Sequence, residues 1–346
     1  MAAKKINAKA HTAGPSLPAP EFDLLKELNK DGDDTPAEML GSDLMAKKIR
    51  GVISTQCATL DRAIGRGGIP LGRLTLLHGK EGSGKTTLAL HCIAETQARN
   101  GMVVYVDAEC KLDPEYAEKV GVDPNRLIIV KPKYLEKFFG VVERTIASVA
   151  RSRVDGRPFP ALVVLDSVNA LQTKAEFDGT WESQFISSVA GVYSAKLKKL
   201  MPMVSAEDIA LLFISQEREK IGVLFGKKEQ TGGGKAPRFY SSLIVEVSRQ
   251  GAVLQGETIV GNETSVKCSK NQIAPPFRTA AFRILFDRGI DRDDALYREA
   301  IRSGVIVRAG AWYSYGELRW QGEERVREAI RNTEGLRGDL MKALEL

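Results

Sequence analysis

The middle of the chain contains short runs of apolar residues, separated by longer stretches with helical spacing. The runs cover residues 74–78, 103–106, 161–165 and 209–214. Near-continuous apolar runs of this length are typical of strands buried on both faces, and intervening helices favour a parallel sheet. The pattern therefore predicts an α/β fold with a mostly parallel central sheet, whose ligands bind beyond the carboxyl ends of the strands.

The two ends of the chain differ from this middle part. Residues 1–20 are rich in Ala, Lys and Pro and lack the apolar core of a secretory signal, so we interpret them as a disordered leader. Helical spacing over residues 21–30, and more weakly over 37–49, predicts a small arm that docks on the core or on a neighbouring subunit. The predicted parts are a leader and oligomerisation arm at 1–50, a core at 51–290 and a small α+β domain at 291–346.

The composition is that of an ordinary globular protein, with 43% hydrophobic and 27% charged residues in a chain of 346. No apolar run reaches the roughly 18 residues that a membrane span needs, so no membrane partner is expected. The net charge of +6 permits a polyanionic partner without demonstrating one. The cysteines (Cys57, Cys92, Cys110 and Cys268) form no C-x-x-C pair, which argues against zinc and favours reduced thiols in a cytoplasm.

A phosphate-binding loop follows the first apolar run. It matches G-x-x-x-x-G-K-[ST] in full, with Gly79, Lys80, Glu81, Gly82, Ser83, Gly84, Lys85 and Thr86, and Thr87 comes next. Glycines allow backbone N–H groups to turn towards phosphate oxygens beside the N-terminus of the helix predicted over residues 86–100. The pattern assigns Lys85 to the β- and γ-phosphates and the Thr86 hydroxyl to Mg²⁺. A glycine-rich turn without a ligand is the alternative.

Polar residues stand at the carboxyl ends of the other apolar runs. Asp166 is placed where a carboxylate would bind Mg²⁺ through water. Glu109 could polarise the attacking water, and Gln216 could contact a γ-phosphate. From the residues alone, Asp166 could instead cap the next element, Glu109 could be a surface acid, and Gln216 an ordinary strand-end amide.

Two segments interrupt the alternation of strands and helices, at residues 176–185 and 217–235. The second combines lysines with apolar residues and closes with three glycines at 232–234. Cations that follow a phosphate backbone, and apolar groups that enter between bases, suit single-stranded nucleic acid. A solvated flexible loop is the alternative. If Gln216 senses the γ-phosphate, its place at the root of the second segment would couple nucleotide state to loop order.

Beyond these motifs, the chain resembles the RecA recombinase family over residues 52–315. The matching strings include IST at 53–55, GGIPLGR at 67–73, DAE at 107–109, LDSV at 165–168, KIGV at 220–223, GNET at 261–264 and AGAWYSY at 309–315. The resemblance implies a RecA-like P-loop ATPase core that uses ATP and Mg²⁺. It also implies a helical filament of identical subunits on single-stranded DNA, which searches a homologous duplex and exchanges strands during recombination and repair. Single-strand-binding and mediator proteins are further candidate partners.

The same resemblance assigns individual roles. At the nucleotide, Lys85 and Thr86 are assigned to the phosphates and the metal, and Asp113 and Tyr116 to the adenine. The residues assigned to catalysis are Glu109, Lys85 and Gln216. Lys270 is assigned to the nucleotide of the neighbouring subunit. For DNA they are Ile186, Lys198, Lys220, Ile221, Gly222, Phe225, Gly233 and Gly234. Ile186 and Ile221 are expected to wedge between bases.

The chain also departs from the bacterial pattern of this family. Gln272 stands where a second trans-acting Lys is usual, Gly191 where a DNA-contacting Arg is usual, and Cys110 where a His is usual. The arm is atypical, and the acidic tail is missing. These differences indicate a divergent member, for which we hypothesise a phage origin and activity in a bacterial cell or a phage-infected host.

The alternatives on the same core are a ring helicase, a clock-type or repair-accessory ATPase, and a catalytically inactive relative. The intact phosphate loop, Glu109 and Asp166 argue against inactivity.

Overall fold

The computed structural model describes residues 50–152, 159–179, 189–219, 229–231 and 234–346. The predicted leader and both helices of the predicted arm lie outside these residues. Every described helix and strand belongs to one compact unit, Ile49–Leu346. The division of the chain into three parts stays a prediction.

A mixed sheet forms the centre of this unit, with a short separate pair of strands before it. The pair is β1 (Val52–Ile53) and β2 (Ile69–Pro70). The sheet consists of β3 (Leu74–Gly79), β4 (Met102–Asp107), β5 (Ile128–Val130), β6 (Ala161–Asp166), β7 (Ile209–Glu219), β8 (Glu229–Thr231), β9 (Leu243–Gln255), β10 (Thr258–Asn271), β11 (Thr279–Leu285) and β12 (Gly289–Ile290). Its order is β12-β11-β10-β9-β3-β7-β6-β4-β5, and β8 pairs with β7.

Half of the sheet is parallel, as the apolar runs predict. β3, β7, β6, β4 and β5 pair in parallel, and β3 is also parallel to β9. The α/β fold with a largely parallel core is therefore confirmed. The strands β9, β10, β11 and β12 extend the sheet in antiparallel fashion. Apolar runs did not reveal this extension, because the outer part of β9 is exposed and β10 mixes buried with partly exposed positions.

Helices cover both faces of the sheet. In chain order they are α1 (Ala58–Ile64), α2 (Lys85–Ala98), α3 (Pro114–Val120), α4 (Leu135–Arg151), α5 (Lys174–Asp178), α6 (Val189–Ala206) and α7 (Ala236–Tyr240). Successive strand residues point to opposite faces. In β6, Leu162 and Val164 accordingly join the core beneath α1, α2 and α3. Val163 and Leu165 join the core beneath α4 and α6.

The C-terminal residues build a second, smaller layer. It consists of α8 (Arg292–Arg302), β13 (Val307–Ala309), β14 (Trp312–Tyr315), β15 (Leu318–Gln321), α9 (Glu323–Asn332) and α10 (Leu336–Ala343). The three strands form an antiparallel sheet. Tyr313, Val326 and Leu340 belong to a separate hydrophobic cluster, which Ala58 of α1 also joins. Among the described residues, no helix is both long and apolar enough to cross a membrane.

Candidate nucleotide-binding site

The phosphate loop joins β3 to α2 in the middle of the sheet. Gly84 has a positive φ of 98°, and a Cβ there would lie 2.3 Å from Ile284 Cδ1 of β11, so only glycine fits without rearrangement. The Lys85 ammonium donates to the carbonyl oxygens of Gly79 at 2.9 Å and Lys80 at 2.6 Å. Burial lowers the pKa of Lys85, although nearby carboxylates oppose the shift. The loop therefore encloses a buried cation at the start of a helix, which is a site suited to anions.

Asp166 ends β6 beside this loop. Its Oδ2 accepts hydrogen bonds from the hydroxyls of Thr86 at 2.7 Å and Tyr105 at 2.8 Å. Burial raises the pKa of Asp166, and the two hydroxyl donors oppose this shift. A carboxylate next to a threonine hydroxyl is the all-oxygen donor set that Mg²⁺ prefers. The residues present therefore fit a magnesium ion.

Glu109 follows β4 and contacts three side chains. Its Oε1 accepts a short hydrogen bond from the Ser167 hydroxyl and another, at 2.9 Å, from Gln216 Nε2. Its Oε2 lies 3.1 Å from Lys111 Nζ. Burial alone would raise the pKa of Glu109, but the donors Ser167, Lys111 and Gln216 outweigh it and hold that pKa below its ordinary value. Glu109 is therefore an oriented carboxylate at the surface of the cleft.

Gln216 lies in β7 opposite Gly79 of β3, where the two residues are Cα partners. Asn169 fixes its backbone, because the Gln216 N–H donates to Asn169 Oδ1 at 3.1 Å and the Asn169 amide donates to the Gln216 carbonyl at 3.3 Å. The side chain is then free to reach Glu109. Gln216 thus lies between the phosphate loop and Glu109, and its predicted contact with a γ-phosphate stays a prediction.

These side chains surround one cleft with a volume of about 330 Å³. It is lined by residues 81–87 together with Tyr105, Asp107, Glu109, Lys111, Leu112, Tyr116, Asp166, Ile214, Gln216, Asn262, Thr264, Ile284 and Phe286. Tyr116 shares a hydrogen bond of 3.1 Å with the Thr87 hydroxyl. Three aromatic residues line the cleft: Tyr105, whose hydroxyl donates to Asp166, and Tyr116 and Phe286. Aromatic rings such as those of Tyr116 and Phe286 can stack on a base.

Asp113 lies outside the lining of this cleft. Its carboxylate caps α3, accepting the N–H groups of Glu115 at 3.0 Å and Tyr116 at 3.3 Å. In this structure Asp113 therefore positions Tyr116. Its predicted place at the adenine remains a prediction.

The other predicted residues lie away from the cleft or outside the described residues. The Lys270 ammonium donates to the Phe239 carbonyl at 2.8 Å, at the end of α7. Lys198 and Gly191 are exposed on α6. Gly234 has a φ of +74°, and a Cβ there would lie 2.5 Å from Ala190 Cβ. Ile186, Lys220, Ile221, Gly222, Phe225 and Gly233 lie outside the described residues.

Sequence reasoning assigned no role to several residues of the site, among them Tyr105, Lys111, Ser167, Asn169 and Phe286. Ser167 could have been found, because it directly follows Asp166 at a strand end. Phe286 gave no such signal, because it follows an antiparallel strand, β11, whose place beside the phosphate loop depends on the tertiary fold. Lys111 lies in a loop where a lysine is unremarkable.

The chain is similar in sequence to known proteins over most of its length. The family model described as "RecA N-terminal domain" matches residues 23–291. A protein named RecA from Chlorobaculum tepidum is 43% identical over 302 residues, which are 87% of this chain and 84% of the relative. The RecA proteins of Heliobacterium modesticaldum and Staphylococcus aureus are 42% and 41% identical, over 85% and 84% of this chain and 83% and 82% of their own. Among solved structures, the crystal structure of the RadB recombinase matches with a TM-score of 0.49 and 25% identity, over 69% of this chain and 98% of that one.

Proposed function

The chain belongs to the RecA family and functions in DNA recombination and repair, and we propose that it does so as a DNA-dependent ATPase. ATP and Mg²⁺ are the proposed cofactors. Single-stranded DNA, a homologous duplex and further copies of this chain are the proposed partners.

The observation that carries the proposal is the hydrogen bond of 2.9 Å from Gln216 Nε2 to Glu109 Oε1. β7 contains Gln216 and runs on to Glu219, directly before residues 220–228 of the predicted second DNA segment. One strand therefore connects that segment to the carboxylate that we assign to water activation. DNA bound there could change the position of Glu109 through Gln216.

Within the cleft, each residue has a distinct proposed task. The N–H groups of the phosphate loop and Lys85 bind the phosphates, and Thr86 and Asp166 hold the magnesium ion, the latter through water. When bound, Mg²⁺ neutralises negative charge on the phosphates. Glu109 accepts the proton of the attacking water, and Gln216 responds to the terminal phosphate.

The filament completes this proposal. Lys270 of one subunit reaches the nucleotide of the next, so that ATP joins subunits as well as driving turnover. Lys198, Gly234 and the predicted residues of the two DNA segments bind the strand. Base pairing carries sequence specificity, because cations and apolar wedges read few base edges. Single-strand-binding and mediator proteins remain candidate partners, and a phage origin remains a hypothesis.

The deciding experiment is ATP hydrolysis by the purified chain with and without single-stranded DNA. We expect DNA to stimulate turnover, and Lys85→Ala to abolish it in both conditions. Turnover that is indifferent to DNA would refute the proposal.

Electron microscopy with ATP and DNA should show helical filaments, whereas closed rings would support the ring ATPase alternative. Strand exchange should require a homologous duplex.

A further inference from the structure

Lys111 lies at the rim of the nucleotide cleft and has no task in the function proposed above. Its ammonium is 3.1 Å from Glu109 Oε2 and 3.9 Å from Glu81 Oε1. The ammonium therefore bridges two carboxylates, one after β4 and one in the phosphate loop. Two-thirds of the Lys111 side chain, 67%, remains exposed, so the group is accessible to a ligand.

The backbone of Lys111 is fixed in place by Asp107, the last residue of β4. Asp107 is only 4% exposed. Its two carboxylate oxygens accept the N–H groups of Lys111 at 3.1 Å and Leu112 at 3.4 Å. Cys110, which lies between Asp107 and Lys111 in the chain, adopts a positive φ of 55°, which is uncommon for a residue with a side chain. This turn places Lys111 across the mouth of the cleft instead of leaving it on a flexible loop.

The charges that line the cleft show why a second cation matters there. Four of the lining residues are acids (Glu81, Asp107, Glu109 and Asp166), and two are cations (Lys85 and Lys111). Lys85 is buried at the base of the loop, whereas Lys111 is exposed beside Glu109. A triphosphate is strongly anionic, and its last phosphate must lie next to the water that Glu109 activates. An ammonium has three N–H donors, so Lys111 can contact Glu109 and a phosphate oxygen together.

We propose that Lys111 binds the terminal phosphate of the nucleoside triphosphate and, through its ion pair, orients Glu109 towards that phosphate. This proposal rests on the function proposed above. Lys111 thereby becomes a specificity-determining residue of the same subunit. It contacts a group that the triphosphate has and the diphosphate lacks.

The test measures the preference for triphosphate over diphosphate. A fluorescent ATP analogue is displaced from the full-length chain, with Mg²⁺ present, by a non-hydrolysable triphosphate analogue or by ADP. A charge-assisted contact to phosphate is worth about tenfold in affinity at an exposed site, so Lys111→Ala should lower the preference by about that factor. Lys111→Arg should retain most of it. Lys119→Ala, which removes an exposed lysine of α3 outside the cleft, is the matched control and should leave it unchanged.

Three results would overturn the proposal. Lys111→Ala could weaken both nucleotides equally, which would indicate general electrostatic attraction, or it could change neither. If Lys111→Arg also lost the preference for triphosphate over diphosphate, the positive charge would have no role in it. These outcomes differ from failure of the proposed function, in which ATP hydrolysis by the unmodified chain would be indifferent to single-stranded DNA.

Discussion

Glu109 receives contacts from three different parts of the chain, since Ser167 follows β6, Gln216 lies in β7 and Lys111 follows β4. The donors leave 16% of its side chain exposed, at the cleft. A carboxylate so oriented is suited to accept a proton from one fixed direction. The catalytic assignment of Glu109 therefore depends on a set of contacts that single replacements can test.

Glu109→Gln should lower the maximal rate of ATP hydrolysis by about 100-fold or more, because an amide cannot accept the proton, and this is the usual size of a general-base contribution. ATP affinity should change little, since the phosphate loop is intact. Steady-state hydrolysis and equilibrium binding measure the two effects. Glu115→Gln, an exposed change on α3, is the control. Hydrolysis by Glu109→Gln at the parent rate would exclude Glu109 as the base.

His91 of α2 links acid stability to the packing of the same helix. Its Nε2 accepts the Ile290 N–H at 2.8 Å, so Nδ1 carries the proton and donates to Gln56 Oε1 at 2.9 Å. Burial, with a smaller contribution from the positive charge of Arg292, lowers the pKa of His91 from 6.5 to about 3. The unfolded chain therefore binds a proton that the folded chain does not, between those pH values. The contribution of neutral His91 to the free energy of unfolding is complete above pH 6.5 and is lost as the pH falls from 6.5 to about 3.

We therefore expect the stability advantage of the parent chain over His91→Gln to be largest at neutral pH. It should shrink by about 1.4 kcal/mol for each pH unit below the ordinary histidine pKa. Urea unfolding at several pH values measures this difference. A difference that stays constant with pH would mean that folded His91 is protonated as readily as in the unfolded chain.

At the scale of elements, sequence patterns predicted the strands that carry the chemistry. β3, β4, β6 and residues 209–215 of β7 are largely buried on both faces and therefore appear as near-continuous apolar runs. The same patterns missed β9, β10 and β11, where exposed positions interrupt the apolar residues. Phe286 was missed with them, because its neighbours in the site lie far away in the sequence. Contacts such as Lys111 with Glu109 depend on backbone turns that periodicity does not encode.

Asp294 of α8 connects the central sheet to the C-terminal helices. It is fully buried and forms ion pairs with Arg283 of β11 at 3.5 Å and with Arg327 of α9 at 2.9 Å. Arg298 of its own helix contacts it as well. One carboxylate thus compensates arginines from three elements. Each arginine also contacts a second, more exposed carboxylate, which is Glu263 for Arg283 and Arg298 and Glu323 for Arg327.

Asp294→Ala should lower the free energy of unfolding by about 3 kcal/mol, the lower end of the range for a buried ion pair that loses one partner, because the arginines keep their other carboxylates. Glu143→Ala removes the partly exposed pair with Lys199 and should cost under about 1 kcal/mol. Chemical denaturation of both variants gives the comparison. Equal losses would show that the Asp294 cluster contributes no more than a surface pair.

At the scale of the whole molecule, the proposed filament places half of each nucleotide site on a neighbouring subunit. Lys270 lies outside the cleft of its own chain, which agrees with a task on another subunit. The proposal predicts that two inactive variants complement each other. Lys85→Ala lacks its own phosphate site but still presents Lys270, and Lys270→Ala has the reverse defect.

An equal mixture of Lys85→Ala and Lys270→Ala should therefore regain DNA-dependent hydrolysis. If the subunits mix randomly in a head-to-tail assembly, roughly a quarter of the interfaces combine an intact Lys85 with an intact Lys270. Each variant alone should stay inactive. The mixture is compared with the double variant, in which no interface can be complete. A mixture as inactive as its components would contradict the action of Lys270 across the interface.

The turn after β4 also makes the chain suitable for spectroscopy. Cys110, with its positive φ, is exposed beside Glu109, whereas Cys57, Cys92 and Cys268 are buried. Burial raises the pKa of Cys57 to about 12 and that of Cys268 to about 11, and it raises that of Cys92 as well. Since the thiolate is the reactive form, a maleimide dye should attach to Cys110 alone. The natural sequence thus offers a single labelling position next to Glu109 and Lys111 of the cleft, from which nucleotide exchange can be followed in real time without engineering a cysteine.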